Sequence, residues 1–585
     1  MKTQIEQLVT TALAQLPGIA EAGDKTALVP EIERTRDRQH GDYACNIAMR
    51  LAKPLQQKPR DIAQLIIDLL PDSGLIESTQ IAGPGFINFR LSPAAFHAEL
   101  VSILEQGDSY GHSNFGNGEK ILVEYVSANP TGPLHVGHGR HAAYGATIAN
   151  LLRATGHVVH EEYYVNDAGR QMDILTLSLW VRMLEAADIE VPFPSNGYHG
   201  QYIYDIAVDA ARQFADSVSA EHLHGIDTLP QDAPNGDADI YLDAFINLAR
   251  NCLGEDRFTA ILNHVLDAIL TDIKEDLAEF GVNPDQWFFE RSLMESGAVK
   301  HALDKVTASG KTYEQDGAIW FRATDYGDEK DRVVIRDNGR STYFASDIAY
   351  HLHKRERGFD TLLDIWGADH HGYIPRVRAG IAAMGEAADI LEVELVQFVA
   401  LFRGADKQKM STRSGDFITL RELRDEVGND AARFFYVTRS NEQHLDFDLE
   451  LAKSQSNDNP VYYIQYAHAR VWSVMRELDT RNLDWNQHNG QQHLHLLTAD
   501  HEQALQQRLA RYPEILELAA RQRAPQHLVH YLRDLANELH AYYNAHRFIV
   551  DEVGLRDARL LLINAVRQII RNGLDLVGVS APQSM

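Results

Sequence analysis

The sequence predicts a multidomain α/β protein in which a parallel-sheet domain lies between a mixed α+β domain and an all-α domain. Two observations support this fold class. Residues 120–165 hold an apolar strand, a Pro/Gly-rich loop, a helix and a second strand, which is the order of a parallel βαβ unit. After residue 459 the apolar spacing is almost continuously helical as far as Gly573. The 585 residues suffice for three to four domains of ordinary size.

The charge balance limits the kind of partner. The formal net charge is −28 at pH 7, so a polyanion is repelled on average and any RNA must meet local basic patches. From Gln455 onward there are 13 Arg, no Lys and 14 Asp or Glu, a balance near −1 that leaves about −27 for the rest. The C-terminal region is therefore the part least repulsive to RNA.

The N-terminus and the cysteines bear on the compartment. The first 16 residues space their apolar side chains like an amphipathic helix, so no secretion signal is expected. There is no run of about 18 apolar residues, so no membrane partner is expected. Cys45 and Cys252 are too distant to form a CxxC pair, so neither a disulfide framework nor protein-bound zinc is expected. A cytoplasmic location fits these features.

The first 110 residues mix helical patterns with short strands. Arg34, Arg36 and Arg38 alternate as they would on one face of an extended segment, which predicts a small basic stripe. The alternative is an ordinary α+β domain whose charges are only solvated. Residues 113–118 are Gly/Asn-rich and predict a linker.

The central stretch joins a strand, 120–126, to a helix that ends at Gly156. At the helix entrance the loop places two histidines and two glycines: His135, Gly137, His138 and Gly139. Free backbone N–H groups and the positive end of the helix dipole meet two imidazoles there, which predicts a phosphate site. The alternative is that both histidines only cap the helix or lie on the surface.

Residues of about 170–300 are loop-rich and partly helical and show no recognisable chemistry. Beyond them, we expect three returning strands, at 333–336, 342–344 and 362–366. Asp369, His370 and His371 follow the last of these. Three adjacent residues on a regular strand cannot all face one ion, so we expect a substrate-pocket loop there and no metal site.

A second polar loop, GADKQKMSTRSG, lies far downstream at 404–415. HVGH at 135–138 resembles the HIGH signature of class I aminoacyl-tRNA synthetases. KMSTR at 409–413, within this downstream loop, resembles their KMSKS signature. The flanks VEYVSANPTGPLHVGH, YFASDIAYH, GADHHGY, VYYIQYAHAR and NGLDLVGVSAP resemble the arginyl-tRNA synthetase family in particular. The similarity extends over nearly the whole chain.

The resemblance implies a class I Rossmann-type catalytic domain at 113–455, interrupted by the insertion at about 170–300. It also implies an N-terminal add-on tRNA-binding domain at 1–112 and a helical anticodon-binding domain at 456–585. The implied activity is ATP-dependent conversion of L-arginine to arginyl-AMP and transfer to the 3′-terminal ribose of tRNA(Arg). Magnesium accompanies ATP, and a monomer is expected.

The resemblance also assigns roles residue by residue. The catalytic group comprises His135, His138 and Lys409; the ATP-binding group comprises Gly137, Gly139, Met410 and Ser411. Thr412 stands where the family loop often has a second lysine, so Lys407 and Arg413 are the candidates for the completing cation. The arginine-binding group comprises Glu124, Ser127, Asn129, Tyr343, Asp347 and His371. By position alone, Glu124 could equally be a surface carboxylate at a strand end.

Two alternatives stay open from the sequence. One is a class I synthetase for another amino acid, and the other is a synthetase-derived RNA-binding protein without catalysis. In the C-terminal part, Tyr462, Tyr463 and Tyr466 with Arg470 begin the all-α domain. Its later aromatic and basic stretch, HAYYNAHRF at 540–548, could offer stacking platforms and phosphate contacts to a single-stranded loop of RNA. Tyrosines at helical spacing are more often core residues, so the resemblance predicts the role of the domain but not its individual contacts.

Overall fold

The computed structural model describes residues 1–19, 29–35, 37–219, 223–404, 406–407 and 417–585. The first segment is α+β, and its strands form an antiparallel sheet in the order β1-β2-β4-β3. Its elements are α1 (Lys2–Leu13), β1 (Ile32–Arg34), β2 (Tyr43–Cys45), α2 (Ile47–Leu51), α3 (Pro59–Asp68), β3 (Ile76–Ala82), β4 (Phe86–Leu91) and α4 (Pro93–Gln106). They enclose one apolar core that includes Ile5, Ile62 and Phe89, all fully buried.

The basic stripe expected at 34–38 does not form a single strand. β1 ends at Arg34, and a short 3-10 helix spans Arg38–His40, because the chain must turn at Gly41 (φ 84°) to enter β2. Arg36 lies outside the described residues. The Arg34 guanidinium instead makes an ion pair with Glu514 of the C-terminal segment, at 2.7 Å from Nε to Oε2.

The second segment is built on a parallel sheet in the order β12-β11-β5-β6-β7. Its first half comprises β5 (Lys120–Glu124), α5 (Val136–Ala154), β6 (Val158–Val165), α6 (Arg170–Ala186), α7 (Gln201–Gln213), α8 (Ala238–Leu253), α9 (Glu255–Glu279), β7 (Gln286–Phe289), α10 (Arg291–Glu295) and α11 (Ala298–Ala308). The predicted βαβ unit is therefore present as β5-α5-β6. Helices α6 to α9 form the insertion between β6 and β7.

The second half of this segment returns to the sheet. It comprises β8 (Thr312–Gln315), β9 (Ala318–Phe321), β10 (Arg332–Ile335), α12 (Tyr343–Glu356), β11 (Thr361–Gly367), α13 (Ile374–Ala383), β12 (Leu391–Val396), β13 (Val399–Arg403), β14 (Asp406–Lys407), α14 (Leu420–Val427), α15 (Asn429–Tyr436), β15 (Leu445–Asp448) and α16 (Leu449–Lys453). Of the three expected returning strands, only 362–366 lies in the parallel sheet, as β11.

Of the other two, the strand expected at 333–336 is present as β10 but does not join the parallel sheet, and the strand expected at 342–344 was wrong. Residues 333–336 pair antiparallel with β9 in a separate small sheet. Residues 342–344 open α12, because the Thr342 carbonyl accepts from the backbone N–H groups of Ala345 and Ser346 and so starts a helix. A Thr-Tyr-Phe triplet has strand propensity, but tertiary context overrides it here. Of the outer strands of the parallel sheet, β7 lies within the range expected to belong to the insertion, and β12 comes from a stretch for which no strand was expected.

The third segment is helical and packs against both others. It comprises α17 (Pro460–Thr480), α18 (Gln487–Gln492), α19 (Asp500–Leu509), α20 (Tyr512–Arg521), α21 (Gln526–Ala545) and α22 (Val553–Leu576). α17 begins where the Asn459 side chain accepts from the Val461 N–H at 3.2 Å, with Pro460 in its first turn. In the described part of the chain, no helix combines the length and the apolar character needed to cross a membrane.

Candidate active site

The start of α5 is capped by the two histidines of the HVGH sequence. Nδ1 of His135 accepts from the N–H groups of Gly137 (3.0 Å) and His138 (3.4 Å), and Nδ1 of His138 accepts from the His135 N–H (3.3 Å). The rings stack with centroids 3.6 Å apart. Because each Nδ1 is an acceptor, a neutral imidazole carries its proton on Nε2.

Both imidazoles are neutral at pH 7. Burial lowers the pKa of His135, and burial together with His135 and His141 lowers the pKa of His138 well below its ordinary value. Within the described ranges, neither Nε2 has a hydrogen-bond partner in the protein. The helix start therefore presents two neutral N–H donors beside its own positive dipole end, so the capping alternative and the phosphate prediction are compatible.

The end of the second signature loop is attached to this helix start. The Leu420 N–H donates to the Leu134 carbonyl at 2.8 Å, the Val136 N–H donates to the Ile418 carbonyl at 3.3 Å, and the Phe417 ring meets His135 edge-on. Residues 417–420, which follow the second signature along the chain, thus contact the first signature although about 280 residues separate them in sequence. Among the loop residues assigned from the sequence, Lys407 is exposed in β14, whereas Lys409, Met410, Ser411 and Arg413 lie outside the described residues.

The two glycines of this helix start face protein. A Cβ added to Gly137 would lie 2.8 Å from Cε1 of His135, so it would displace the stacked imidazole. A Cβ added to Gly139 would lie 2.7 Å from Leu420 and 2.8 Å from the Tyr436 hydroxyl. Gly139 therefore has a packing reason to be glycine, since it lets α14 and α15 approach α5.

We expect Gly139→Ala to lower the free energy of unfolding by about 1–3 kcal/mol, because the added methyl group overpacks this contact. Thermal unfolding measures the change. Gly74→Ala is the matched control, since nothing lies within 4 Å of a Cβ there. An unchanged melting temperature with a raised KM for ATP would instead assign Gly139 to nucleotide approach.

Several carboxylate side chains lie at the carboxyl end of the parallel sheet, and Glu124 is the first of them in the chain. Glu124 ends β5 with only 7% of its surface exposed; its Oε1 accepts from the Ser127 hydroxyl at 2.9 Å, and its Oε2 accepts from Nζ of Lys354 at 2.5 Å. The chain then passes through Val126 (φ 69°) and Ser127 (φ 39°). Left-handed backbone is costly for both residue types, and such strain is typical of functional sites. Glu124 is therefore a buried, hydrogen-bonded carboxylate and not an exposed one.

Asp347 lies one turn into α12, where its carboxylate accepts from the Tyr373 hydroxyl. Burial raises its pKa, and the Tyr373 hydrogen bond opposes the rise. Tyr343, one turn earlier, is 55% exposed, and its hydroxyl lies against Gly169. His371 is exposed within a 3-10 helix, Ala368–Tyr373, that follows β11.

Glu290 is a further carboxylate at this end of the sheet, and no sequence pattern indicated it. It directly follows β7, is 5% exposed, and has the side chains of Tyr164 and Ser346 as polar neighbours. Burial and the neighbouring Asp347 raise its pKa to about 7. Within the described ranges, neither Glu290 nor Asp347 has a cationic group within 4.0 Å. The available signal was a carboxylate at the end of a buried strand, the same position that Glu124 occupies.

A cavity of about 640 Å³ lies beside the histidine pair. Asn129, His135 and His138 line it on the sheet side, and Arg170 and Tyr198 line it on the insertion side. The cleft is thus open between the signature helix and the insertion. Among the described residues, no group of three or more His, Cys, Asp or Glu is arranged to hold a metal ion.

A parallel sheet with its site at the carboxyl strand ends, a helix opened by HVGH and a downstream loop attached to that helix define a class I aminoacyl-tRNA synthetase catalytic domain. The family model described as "tRNA synthetases class I (R), catalytic domain" matches residues 99–454. Those described as "Arginyl tRNA synthetase N terminal domain" and "DALR anticodon binding domain" match 3–91 and 464–585. The chain belongs to the arginyl-tRNA synthetase family.

Individual relatives agree with the family models. The arginine–tRNA ligase of Thioalkalivibrio sulfidiphilus is 56% identical over 586 residues, and that of Legionella pneumophila is 50% identical; each alignment covers 100% of both chains. The solved arginyl-tRNA synthetase of Thermus thermophilus shares the fold, with a TM-score of 0.72, 22% identity and 100% of both chains covered. The predicted fold class and the predicted activity, an ATP-consuming arginine–tRNA ligase, are confirmed.

Proposed function

We propose that the guanidinium of arginine binds among Glu124, Glu290 and Asp347 at the carboxyl end of the sheet. The observation that carries this proposal is the pair of neighbouring carboxylates, the buried Glu290 and the half-buried Asp347, without a cationic partner within 4.0 Å in the described part of the chain. A carboxylate taken out of water is costly unless a cation joins it. A planar guanidinium satisfies several carboxylate oxygens at once, which a lysine ammonium does less well.

In this proposal, the amino acid's other end lies toward the histidines. Ser127 and Asn129 follow β5, and Asn129 lines the same cavity as His135 and His138. Tyr343 and His371 are proposed to flank the entrance: both are exposed, Tyr343 lies one turn before Asp347 in α12, and His371 lies two residues before Tyr373, which donates to Asp347. The substrate carboxylate is then directed at the nucleotide held at the start of α5.

The first chemical step joins the substrate to the nucleotide. An arginine carboxylate oxygen attacks the α-phosphorus of ATP, the bond to the β-phosphate bridging oxygen breaks, and pyrophosphate leaves. The Nε2–H groups of His135 and His138 donate to phosphate oxygens as negative charge builds in the transition state. No enzyme nucleophile is required, so positioning and charge stabilisation account for the rate.

In the second step, a terminal ribose hydroxyl of the tRNA attacks the arginyl carbonyl carbon, and AMP leaves. We propose that Lys409 neutralises the departing pyrophosphate and that Ser411 and Met410 hold the loop on the nucleotide. Lys407 or Arg413 would supply the second cation. Magnesium would arrive on the ATP phosphates, whose oxygens are ligands that it prefers.

We further propose the domain roles and the setting of the enzyme. Residues 1–112 would bind the body of tRNA(Arg), 113–455 would carry catalysis, and 456–585 would read the anticodon. The near-neutral balance of the last region supports an RNA contact there. A monomeric, cytoplasmic enzyme is proposed, and sedimentation of the purified chain tests the first of these.

ATP–pyrophosphate exchange with each amino acid, run with and without tRNA(Arg), tests the proposed function. Exchange that occurs with arginine and not with lysine supports the carboxylate pocket. Exchange with another amino acid would retain the class I chemistry but overturn the assignment of Glu124, Glu290 and Asp347. A lack of exchange under every condition would favour an RNA-binding role without catalysis.

The pH dependence of arginine binding is a specific prediction for Glu290. Because its pKa is about 7, the Glu290 carboxyl group of the empty pocket is mostly protonated below pH 7. Binding of the guanidinium must then release this proton. We expect the KM for arginine to fall about tenfold between pH 6 and pH 8 and to level off above that. Exchange assays at saturating ATP measure it. In Glu290→Gln, the KM for arginine should no longer change between pH 6 and pH 8. The same pH dependence of KM in that variant as in the parental enzyme would contradict the assignment.

A further inference from the structure

A fully buried lysine lies behind the proposed arginine pocket. Lys354, in α12, is 0% exposed, and its Nζ donates to Oε2 of Glu124 at 2.5 Å and to Oδ1 of Asp364 at 2.8 Å. The ammonium also lies 4.3 Å from the ring centroid of Tyr350. Lys354 is seven residues after Asp347, so both project from the same face of the helix. The residue was not singled out by any sequence motif.

The sheet register explains why a cation is needed at this place. Glu124 of β5 and Asp364 of β11 are Cα partners on adjacent parallel strands, and both side chains are buried. Two carboxylates in such a position repel each other, and one would retain a proton. Burial raises the pKa of Glu124, and the Lys354 ammonium opposes that rise. Glu124, Asp364 and ionised Lys354 together keep one net negative charge.

Lys354 is also the centre of a continuous hydrogen-bonded chain. On one side, Nε2 of His351 meets Oδ2 of Asp364 at 2.9 Å, and Nδ1 of His351 meets the backbone carbonyl of Asp347 at 2.8 Å. On the other side, Oε1 of Glu124 accepts from Ser127. A carboxylate oxygen accepts more than one hydrogen bond, so Oε1 keeps capacity for a ligand. The chain of hydrogen bonds thus connects the backbone of Asp347 to the carboxylate of Glu124, two of the residues proposed to bind the guanidinium.

We propose that Lys354 is a positioning residue for arginine: it holds Glu124 by Oε2, leaves Oε1 for the guanidinium, and limits the Glu124–Asp364 pair to one net negative charge. This inference rests on the arginine pocket proposed above. A buried ion pair can instead serve stability alone. The two roles differ in what the substitution of Lys354 changes, since a purely structural role has no reason to discriminate between arginine and ATP.

The test is a double-mutant cycle of Lys354→Met and Glu124→Gln. For each variant, the KM for arginine and the KM for ATP are measured separately with tRNA(Arg) present. We expect Lys354→Met to raise the KM for arginine at least about tenfold and to leave the KM for ATP within about threefold, because it leaves Glu124 without its donor. In a Glu124→Gln background, Lys354→Met should add little, since it acts through Glu124. Equal effects on both substrates, or a full multiplicative effect in that background, would overturn the inference.

Two further variants distinguish an effect on arginine binding from a general loss of stability. Arg559→Met is the matched control, because Arg559 pairs with the buried Glu502 at 2.9 Å in the helical segment; it should lower stability without raising the KM for arginine. If Lys354→Met does not fold, Lys354→Met combined with Asp364→Asn preserves the charge balance. That pair should still raise the KM for arginine more than tenfold, and a parental value would overturn the inference.

The outcomes also separate this inference from the proposed function. If Glu124→Gln raises the KM for arginine and Lys354→Met does not, the pocket stands and the positioning role fails. If Glu124→Gln leaves the KM for arginine unchanged, the pocket assignment itself fails.

Discussion

Replacing His138 with alanine is expected to slow arginine activation about 10²-fold or more, because the transition state loses a preorganised donor. Nδ1 of His138 is occupied by the His135 N–H, so the side chain offers Nε2–H to the phosphate. The imidazole is neutral at pH 7, since burial lowers its pKa. The loss should therefore appear in the rate of the chemical step and be independent of pH above neutrality. Single-turnover formation of arginyl-AMP measures it.

His530→Ala is a suitable control for this substitution, because it removes an exposed imidazole from the helical segment. It should leave the activation rate unchanged. A His138→Ala variant with the parental single-turnover rate would contradict the role of this side chain as a transition-state donor. A variant that changed only the KM for ATP would assign it to ground-state binding.

Asp347→Asn is expected to raise the KM for arginine about 10²-fold while the KM for ATP stays near its parental value. The Asp347 carboxylate is half-buried, accepts a hydrogen bond from the Tyr373 hydroxyl and has no cation within 4.0 Å among the described residues. A guanidinium therefore supplies its missing charge, and loss of one partner from a buried pair costs about 3–5 kcal/mol before the remaining contacts compensate. Exchange kinetics with each substrate varied in turn measure both constants.

Asp458→Asn is the matched control, since Asp458 is exposed at the beginning of the helical segment. It should change neither constant. Equal increases in the two KM values for Asp347→Asn would indicate a general disturbance of α12 and would contradict a direct contact with arginine. The same comparison applied to Glu124→Gln should give a smaller increase, because Lys354 already compensates that carboxylate.

Local sequence patterns identified much of the catalytic segment correctly. Residues 120–124 of the apolar run 120–126 form β5, the spacing after the loop corresponds to α5, and the motif between them forms the helix cap. These features depend on residues that are close in sequence, so their conformational preferences and local hydrogen bonds can be predicted from the sequence. Predictions failed where distant partners decided, as at 342–344, where strand propensity gave way to a helix start.

The sequence by itself determined the family, the order of the segments and the histidine-capped helix, because these follow from contiguous residues and two separated signatures. Only the tertiary structure showed that Glu290 joins the carboxylates and that Lys354 lies between Glu124 and Asp364. Those side chains come from α12, from strands β5 and β11, and from the residue after β7, separated by up to about 240 residues. The charge of a buried group depends on what surrounds it in space, and parallel pairing brings those surroundings together from separate parts of the chain.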